Sequence, residues 1–278
     1  WANGRQVVEW IYDLLPEKMS KLAGISLIRN NNTYDYHIRE TLLSLLEFCD
    51  HVYCTAVHSE DGTDEILTGI TDDRLTVLWA TEEEWQAQAG KEKLSYFTNI
   101  AIERAQKEGY EWVLYVQGDE IVGPQAYQHI LSAIETYPND EAFLMPRLNL
   151  WGDSSHHLTC PQNRMPCSTQ VIRLAKSHCR AIGDAESLDG VCKWILDEAE
   201  IFHTGFIRDR FKMIGKVRNM VEGVFGMSPD KALDTMSDGW DPWVSHTRAD
   251  VSEHGRKLPD SIQKWCVERD ENNKARTF

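Results

Sequence analysis

The stretch Glu111-Trp112-Val113-Leu114-Tyr115-Val116-Gln117-Gly118-Asp119-Glu120 constrains the fold more than any other. A short apolar run rich in Val and aromatics, closed by polar residues, reads as a buried strand. Burial on both faces requires a parallel or mixed sheet covered by helices. Asp119 and Glu120 then fall at the strand's carboxyl end, where open α/β sheets bind their ligands. Gly118 lets a ligand approach the backbone closely. Adjacent carboxylates repel each other unless a positive charge lies beside them. A divalent cation on a phosphate meets that need, since hard cations choose oxygen ligands. A solvated strand-to-loop turn is the plainer alternative.

The surrounding pattern supports a sheet. Strands are expected at 24–28, 49–57, 75–80 and 111–116, and helices at 38–48, 63–67, 94–108 and 125–137. Asp35 is the expected cap of the helix at 38–48, which an amphipathic helical segment within 1–20, ended by Pro16, precedes. Strand–helix alternation implies right-handed crossovers and a mainly parallel sheet. Loops 29–32, 59–63 and 117–120 should converge on one crevice. None of them carries a dinucleotide or P-loop glycine pattern. Further strands are expected at 142–150 and 169–174, with a loop holding His156, His157, Cys160, Pro161 and Pro166 between them. A tail with Trp240, Asp241, Pro242, Trp243 and His246 leads to a last helix at 259–268. No internal repeat or low-complexity linker divides the chain.

Composition narrows the partners. Of 278 residues, 42% are hydrophobic and 26% charged, as in globular proteins. No run reaches the ~18 apolar residues of a membrane span. Seven cysteines without a CxxC pair suit free thiols in a reducing compartment, so the cytoplasm is the expected location. A net charge of -15 opposes long-range attraction to nucleic acid. A local basic cluster stands against it at Arg208, Arg210, Lys212, Lys216 and Arg218.

Four segments, in order, resemble family 2 glycosyltransferases of bacterial and phage type. They are Gly24-Ile25-Ser26-Leu27-Ile28-Arg29-Asn30, Ser59-Glu60-Asp61-Gly62-Thr63, Val116-Gln117-Gly118-Asp119-Glu120 and Ile201-Phe202-His203-Thr204-Gly205-Phe206. The resemblance implies a GT-A fold: a mixed, mainly parallel Rossmann-like central sheet flanked by helices, with a helical C-terminal extension. The expected partition is an N-terminal helical segment 1–21, a catalytic domain 22–206 and an extension 207–278 that completes the acceptor side. The implied donor is a nucleotide-sugar, a UDP-sugar foremost, held with Mn²⁺ or Mg²⁺. Asp119 matches the second acid of the family's DxD motif, and Gln117 replaces the first. An amide there brings no charge to a metal. The resemblance implies Asp119, His203 and Glu120 as metal ligands. It implies Arg29, Asn30, Asp61, Lys93, Asn99, Gln117, Gly118, Asp119 and Lys212 as contacts of the nucleotide-sugar.

Transfer from such a donor needs stabilisation of the leaving diphosphate and a base for the acceptor hydroxyl. Family members invert the anomeric centre through a carboxylate after the strand that ends near 174. Asp184, Glu186 and Asp189 lie there; Glu186 is preferred, with Asp184 as the alternative. The acceptor is a hydroxyl of a saccharide, a protein or a modified nucleobase of phage-type DNA. Two other readings use the same features: a nucleotidyltransferase, and a non-catalytic sugar- or nucleotide-binding module. The first lacks its basic, Gly-rich phosphate loop here, and the second needs no convergent acids.

Overall fold

The computed structural model describes residues 21–90, 92–159, 170–208, 210–219 and 250–274. The helix expected within 1–20, the positions Cys160, Pro161 and Pro166, and the segment 240–246 lie outside them.

The N-terminal half alternates as its apolar spacing dictates. β1 (Leu22–Ile28), α1 (Ile38–Leu46), β2 (His51–Val57), α2 (Thr63–Thr68) and β3 (Leu75–Ala80) are followed by α3 (Glu82–Ala87), α4 (Glu92–Lys107) and β4 (Trp112–Tyr115). Short β5 (Glu120–Val122) and α5 (Ala126–Thr136) complete it. Strands β4, β1, β2 and β3 lie side by side in that order, all parallel. The period of two along β4 divides its residues between two cores. Trp112 and Leu114 pack with Leu42 and Leu45 of α1 and Ile130 and Ile134 of α5. Val113 and Tyr115 pack with Ala101, Ile102 and Ala105 of α4. Helices therefore cover both faces, as the continuous apolar run of β4 requires.

The C-terminal half adds strands of both senses. It comprises β6 (Ala142–Trp151), β7 (Asp153–Thr159), β8 (Gln170–Lys176), β9 (Ala181–Ile182), β10 (Ser187–Leu188), β11 (Cys192–Ile195), β12 (Ile201–Phe206), α6 (Arg210–Asn219), β13 (Asp250–Glu253) and α7 (Asp260–Lys274). β7, β8 and β13 run antiparallel to their neighbours, and β11 and β12 run parallel to β6. The full path is β13-β7-β6-β8-β4-β1-β2-β3. β8 joins β4 and β6 antiparallel to both. The long β6 pairs with β8 through its first half and with β12 through its second. β12 in turn pairs antiparallel with β5, setting His203 opposite Glu120. The result is the mixed, helix-flanked sheet expected from the sequence.

Three local features differ from the expectation. Asp35 does not cap α1: the Asn31 side-chain oxygen accepts from the Ile38 N–H at 3.0 Å, while Asp35 accepts from Arg269 of α7 at 2.6 Å. His156 and His157 lie on β7, paired with β13, rather than in a loop. Helix α3 was not expected, yet Thr81 and Glu84 form a capping box at its start. Helix α7 packs Ile262, Trp265 and Cys266 against Ile121 and Leu150, directly behind the strand that carries Glu120. Among the described residues, no helix is long and apolar enough to cross a membrane.

Candidate active site

The three loops at the carboxyl ends of β1, β2 and β4 do converge. The Asn30 N–H donates to Ser59 Oγ at 3.0 Å, and the Asn31 N–H to Thr63 Oγ1 at 2.8 Å. Asp61 accepts from the Thr33 N–H at 2.7 Å, from the Thr63 N–H at 3.2 Å and from the Thr63 hydroxyl. The first two loops are thus tied together by Asp61, whose carboxylate is spent on backbone and hydroxyl donors. The third loop joins through the Gly118 carbonyl, which accepts from the His37 N–H at 3.1 Å. A Cβ on Gly118 would lie 2.8 Å from Ile28 Cδ1, so a glycine allows this close approach to β1.

Asp119 is 4% exposed and surrounded by cations. Its Oδ2 accepts from Lys216 Nζ at 2.6 Å and from Arg208 Nη2 at 2.8 Å, and His203 Nε2 lies 3.6 Å away. Burial alone would raise the Asp119 carboxyl, but Lys216, then His203 and Arg208, outweigh it and hold it well below the usual carboxylate range. The Tyr36 ring braces both cations, with Arg208 4.8 Å and Lys216 5.2 Å from its centroid. Arg208 is further anchored by the Gly205 and Tyr34 carbonyls. Burial lowers the Lys216 ammonium to about 8. It also pulls His203 below its ordinary value, against the opposing pull of Asp119. His203 Nδ1 faces Asn149 Oδ1 at 2.8 Å. Asn149 thus engages Nδ1, and Nε2 is the ring nitrogen that faces Asp119. Gly205 makes room for this ring: a Cβ there would come within 2.5 Å of two His203 ring atoms.

Glu120 faces a different set of partners. It is fully buried, with Oε1 2.7 Å from Arg173 Nη2 and 3.4 Å from Arg147 Nη1, while Oε2 accepts from the Gln117 N–H at 3.0 Å. Arg147 reaches on to Glu186, pairing its other nitrogen with that carboxylate. The Glu186 side chain is 28% exposed, so it can meet an acceptor while staying held by Arg147. Burial would raise its carboxyl; Arg147 and Arg173 reverse that and keep it below its ordinary value. The loop before it turns through left-handed Gly183 and Ala185, both at φ 57°. The Ala185 carbonyl accepts from Gln117 Nε2 at 3.1 Å and Arg173 Nη1 at 3.3 Å. Gln117 therefore uses its amide as a donor to the Glu186 loop, which a carboxylate cannot do.

The remaining expected residues fall into two groups. Lys212 stays at the crevice, donating to the Asn32 carbonyl at 2.9 Å. Arg29 and Lys93 flank the Trp85 ring, 5.3 and 5.0 Å from its centroid, and Arg29 forms a two-point pair with Glu82. Asn99 is structural in its contacts: it exchanges two hydrogen bonds with the Ala181 backbone, at 2.8 and 3.1 Å. Asp189 accepts from the Arg180 N–H at 2.5 Å. Asp184 is half-buried and has no side-chain partner among the described residues. Arg147, Arg173 and Asn149 were not expected at the site. Their one signal is a charged or amide side chain inside an otherwise apolar strand, which must find a buried partner.

The donor set does not fit a preformed divalent-metal seat. Among the described residues, no three His, Cys, Asp or Glu side chains are arranged to hold a metal. Asp119 and His203 come together, but Glu120 is taken up by Arg173 and Arg147 and Gln117 by Ala185. An Asp119 oxygen already carries two protein cations. At a separation of 4 Å and an effective dielectric of 20, each pair of unit charges is worth about 4 kcal/mol. Repulsion of a divalent ion by Lys216 and Arg208 therefore matches or exceeds its attraction to Asp119.

No family model matches the chain, and no curated protein matches it. Solved structures to which it is similar include S. aureus TarS residues 1–349 in complex with UDP, at 15% identity and a TM-score of 0.44, covering 82% of this chain and 73% of that one. Another is a candidate nucleotide-diphospho-sugar transferase from Desulfovibrio desulfuricans G20, at 11% identity and a TM-score of 0.37, covering 78% of this chain and 95% of that one. Both scores are too low to carry a ligand or an activity across.

Proposed function

We propose that the chain is a glycosyltransferase that moves a sugar from a nucleotide-sugar, a UDP-sugar foremost, to an acceptor hydroxyl with inversion. One observation carries this reading. At the carboxyl end of a buried parallel strand, neighbouring Asp119 and Glu120 anchor two sets of charges, a cation pair fixed on Asp119 and a part-exposed Glu186 held through Arg147. The second set runs from Glu120, next to Asp119, through Arg147 to Glu186.

The two halves suit the two demands of glycosyl transfer. Lys216 offers N–H donors to a diphosphate as its charge grows, and the buried Arg208 adds its positive charge behind it. Glu186 accepts the acceptor's proton as the new C–O bond forms and the bond from the anomeric carbon to phosphate breaks, with its electron pair leaving on the diphosphate. Asp184 stands two residues from Glu186 as the other candidate base. A sugar-binding module has no use for a clamped carboxylate opposite a cation pair. Release of nucleoside diphosphate across a panel of sugar-nucleotides tests the reading. Wild-type protein is expected to turn over at least one donor, and Glu186→Gln to lose turnover while isothermal titration shows unchanged donor affinity. Full turnover in both Glu186→Gln and Asp184→Asn rules out the assigned base.

A further inference from the structure

We propose that the Lys216 ammonium, seated on Asp119 beside Arg208, takes the place a divalent cation would hold, so that this chain binds and releases a nucleoside diphosphate without metal. The inference rests on the glycosyltransferase reading and deepens it. Asp119 is a carboxylate only 4% exposed, with His203 Nε2 3.6 Å from its Oδ2, and a buried carboxylate calls for a cation. The structure supplies one from the protein: Lys216 Nζ is 2.6 Å from Asp119 Oδ2. The Lys216 side chain is 16% exposed, against 0% for Arg208 and 5% for Asp119. Of this trio it has the most access to a ligand. An ammonium carries three protons, so the one on Asp119 leaves two for phosphate oxygens.

The other side chains that could complete a metal shell are committed elsewhere. Glu120 is closed off by Arg173 and the Gln117 N–H, and Gln117, held by Nε2 on Ala185, has no more than a neutral amide oxygen to offer. Arg208 stays fixed by the Gly205 and Tyr34 carbonyls, so it stabilises charge without moving. In the transfer step, the bond between the anomeric carbon and the phosphate oxygen breaks with its electron pair on that oxygen. The new charge meets N–H protons of Lys216 and the field of the buried Arg208, and the acceptor's proton goes to Glu186. No further reactant is needed for the balance.

The test uses the full chain, with the six-line electron paramagnetic resonance signal of free Mn²⁺ and isothermal titration with UDP, GDP, CDP and dTDP in EDTA and in Mn²⁺. Wild-type protein is expected to leave the Mn²⁺ signal undiminished and to bind one of the nucleotides equally in both buffers. Lys216→Met should weaken that binding about 10- to 100-fold, and Lys216→Arg should restore part of it. Wild-type binding that requires Mn²⁺, or a Mn²⁺ signal lost on adding protein alone, overturns the proposal and leaves the transferase reading standing. Binding of no nucleotide in either buffer overturns both. The wild-type arms need no variant, so a Lys216→Met protein that fails to fold does not spare the proposal.

Discussion

Gln117 donates its side-chain amide to the Ala185 carbonyl at 3.1 Å, which ties the end of β4 to the residue before Glu186. Ala185 is a non-glycine residue held at φ 57°, a conformation that costs roughly 1–2 kcal/mol. The bonds from Gln117 and Arg173 offset that cost and aim the following carboxylate. Where the resemblance implies an acid, this chain needs a donor. Gln117→Glu removes the donor with little change in size. It is expected to lower kcat about 10- to 100-fold with donor affinity retained, since small misplacements of a reacting group cost rates of that order. Steady-state kinetics separate the two quantities, and a wild-type kcat would show that Gln117 does not position the loop.

Arg173 and Glu120 form an ion pair with neither side chain exposed. Removing Arg173 leaves the buried Glu120 with only the longer Arg147 contact and the Gln117 N–H, so Arg173→Met should cost about 3 kcal/mol in urea unfolding. Arg29 and Glu82 provide the contrast, because their pair is 18% and 42% exposed. Arg29→Met is expected to cost about 1 kcal/mol or less. Equal losses in the two variants would mean that burial does not set the value of these pairs.

Gly205→Ala places a methyl within 2.5 Å of the His203 ring. The ring is also held by Asn149 and packed edge-on against Phe206, so it has little room to yield. Overpacking of this kind costs typically 1–3 kcal/mol. Thermal melting should show the loss, and an unchanged melting temperature would contradict the tight seat described for His203.

The pH dependence follows from Glu186. Burial raises its carboxyl, and Arg147 and Arg173 more than reverse that, so its folded-state value lies below the ordinary 4.5. The ionised form is complete above the ordinary value and is lost as pH falls through the lowered one. Both the stability from its pairing and its capacity as a base should therefore hold across neutral pH and fade only below 4.5. An acid limb of kcat/KM near neutrality would point to another group as the base.

The order of strands and helices in the N-terminal half is legible because apolar spacing carries it, as in the two-faced burial of Trp112 to Tyr115. Convergence of the three strand-end loops follows from that order. Helix α3 was also legible through Thr81 and Glu84, a signal that apolar spacing alone passes over. The partners of Glu120 were not legible. Arg147 and Arg173 sit in β6 and β8, and only the antiparallel placement of β8 between β4 and β6 brings them to one carboxylate. The basic run after His203 was visible as a cluster, but its spacing does not tell which member meets Asp119. Arg208 and Lys216 do so, while Lys212 turns to the Asn32 carbonyl.

Asp119→Asn removes the charge on which Lys216 and Arg208 are arranged while keeping the side chain's shape. Release of nucleoside diphosphate from a panel of sugar-nucleotides, measured on wild type and on Asp119→Asn protein of matched secondary structure, puts the account at risk. The expected result is turnover of at least one donor by the wild type and loss of that turnover in the variant. Undiminished turnover by folded Asp119→Asn protein, or no turnover of any donor by the wild type, would contradict it.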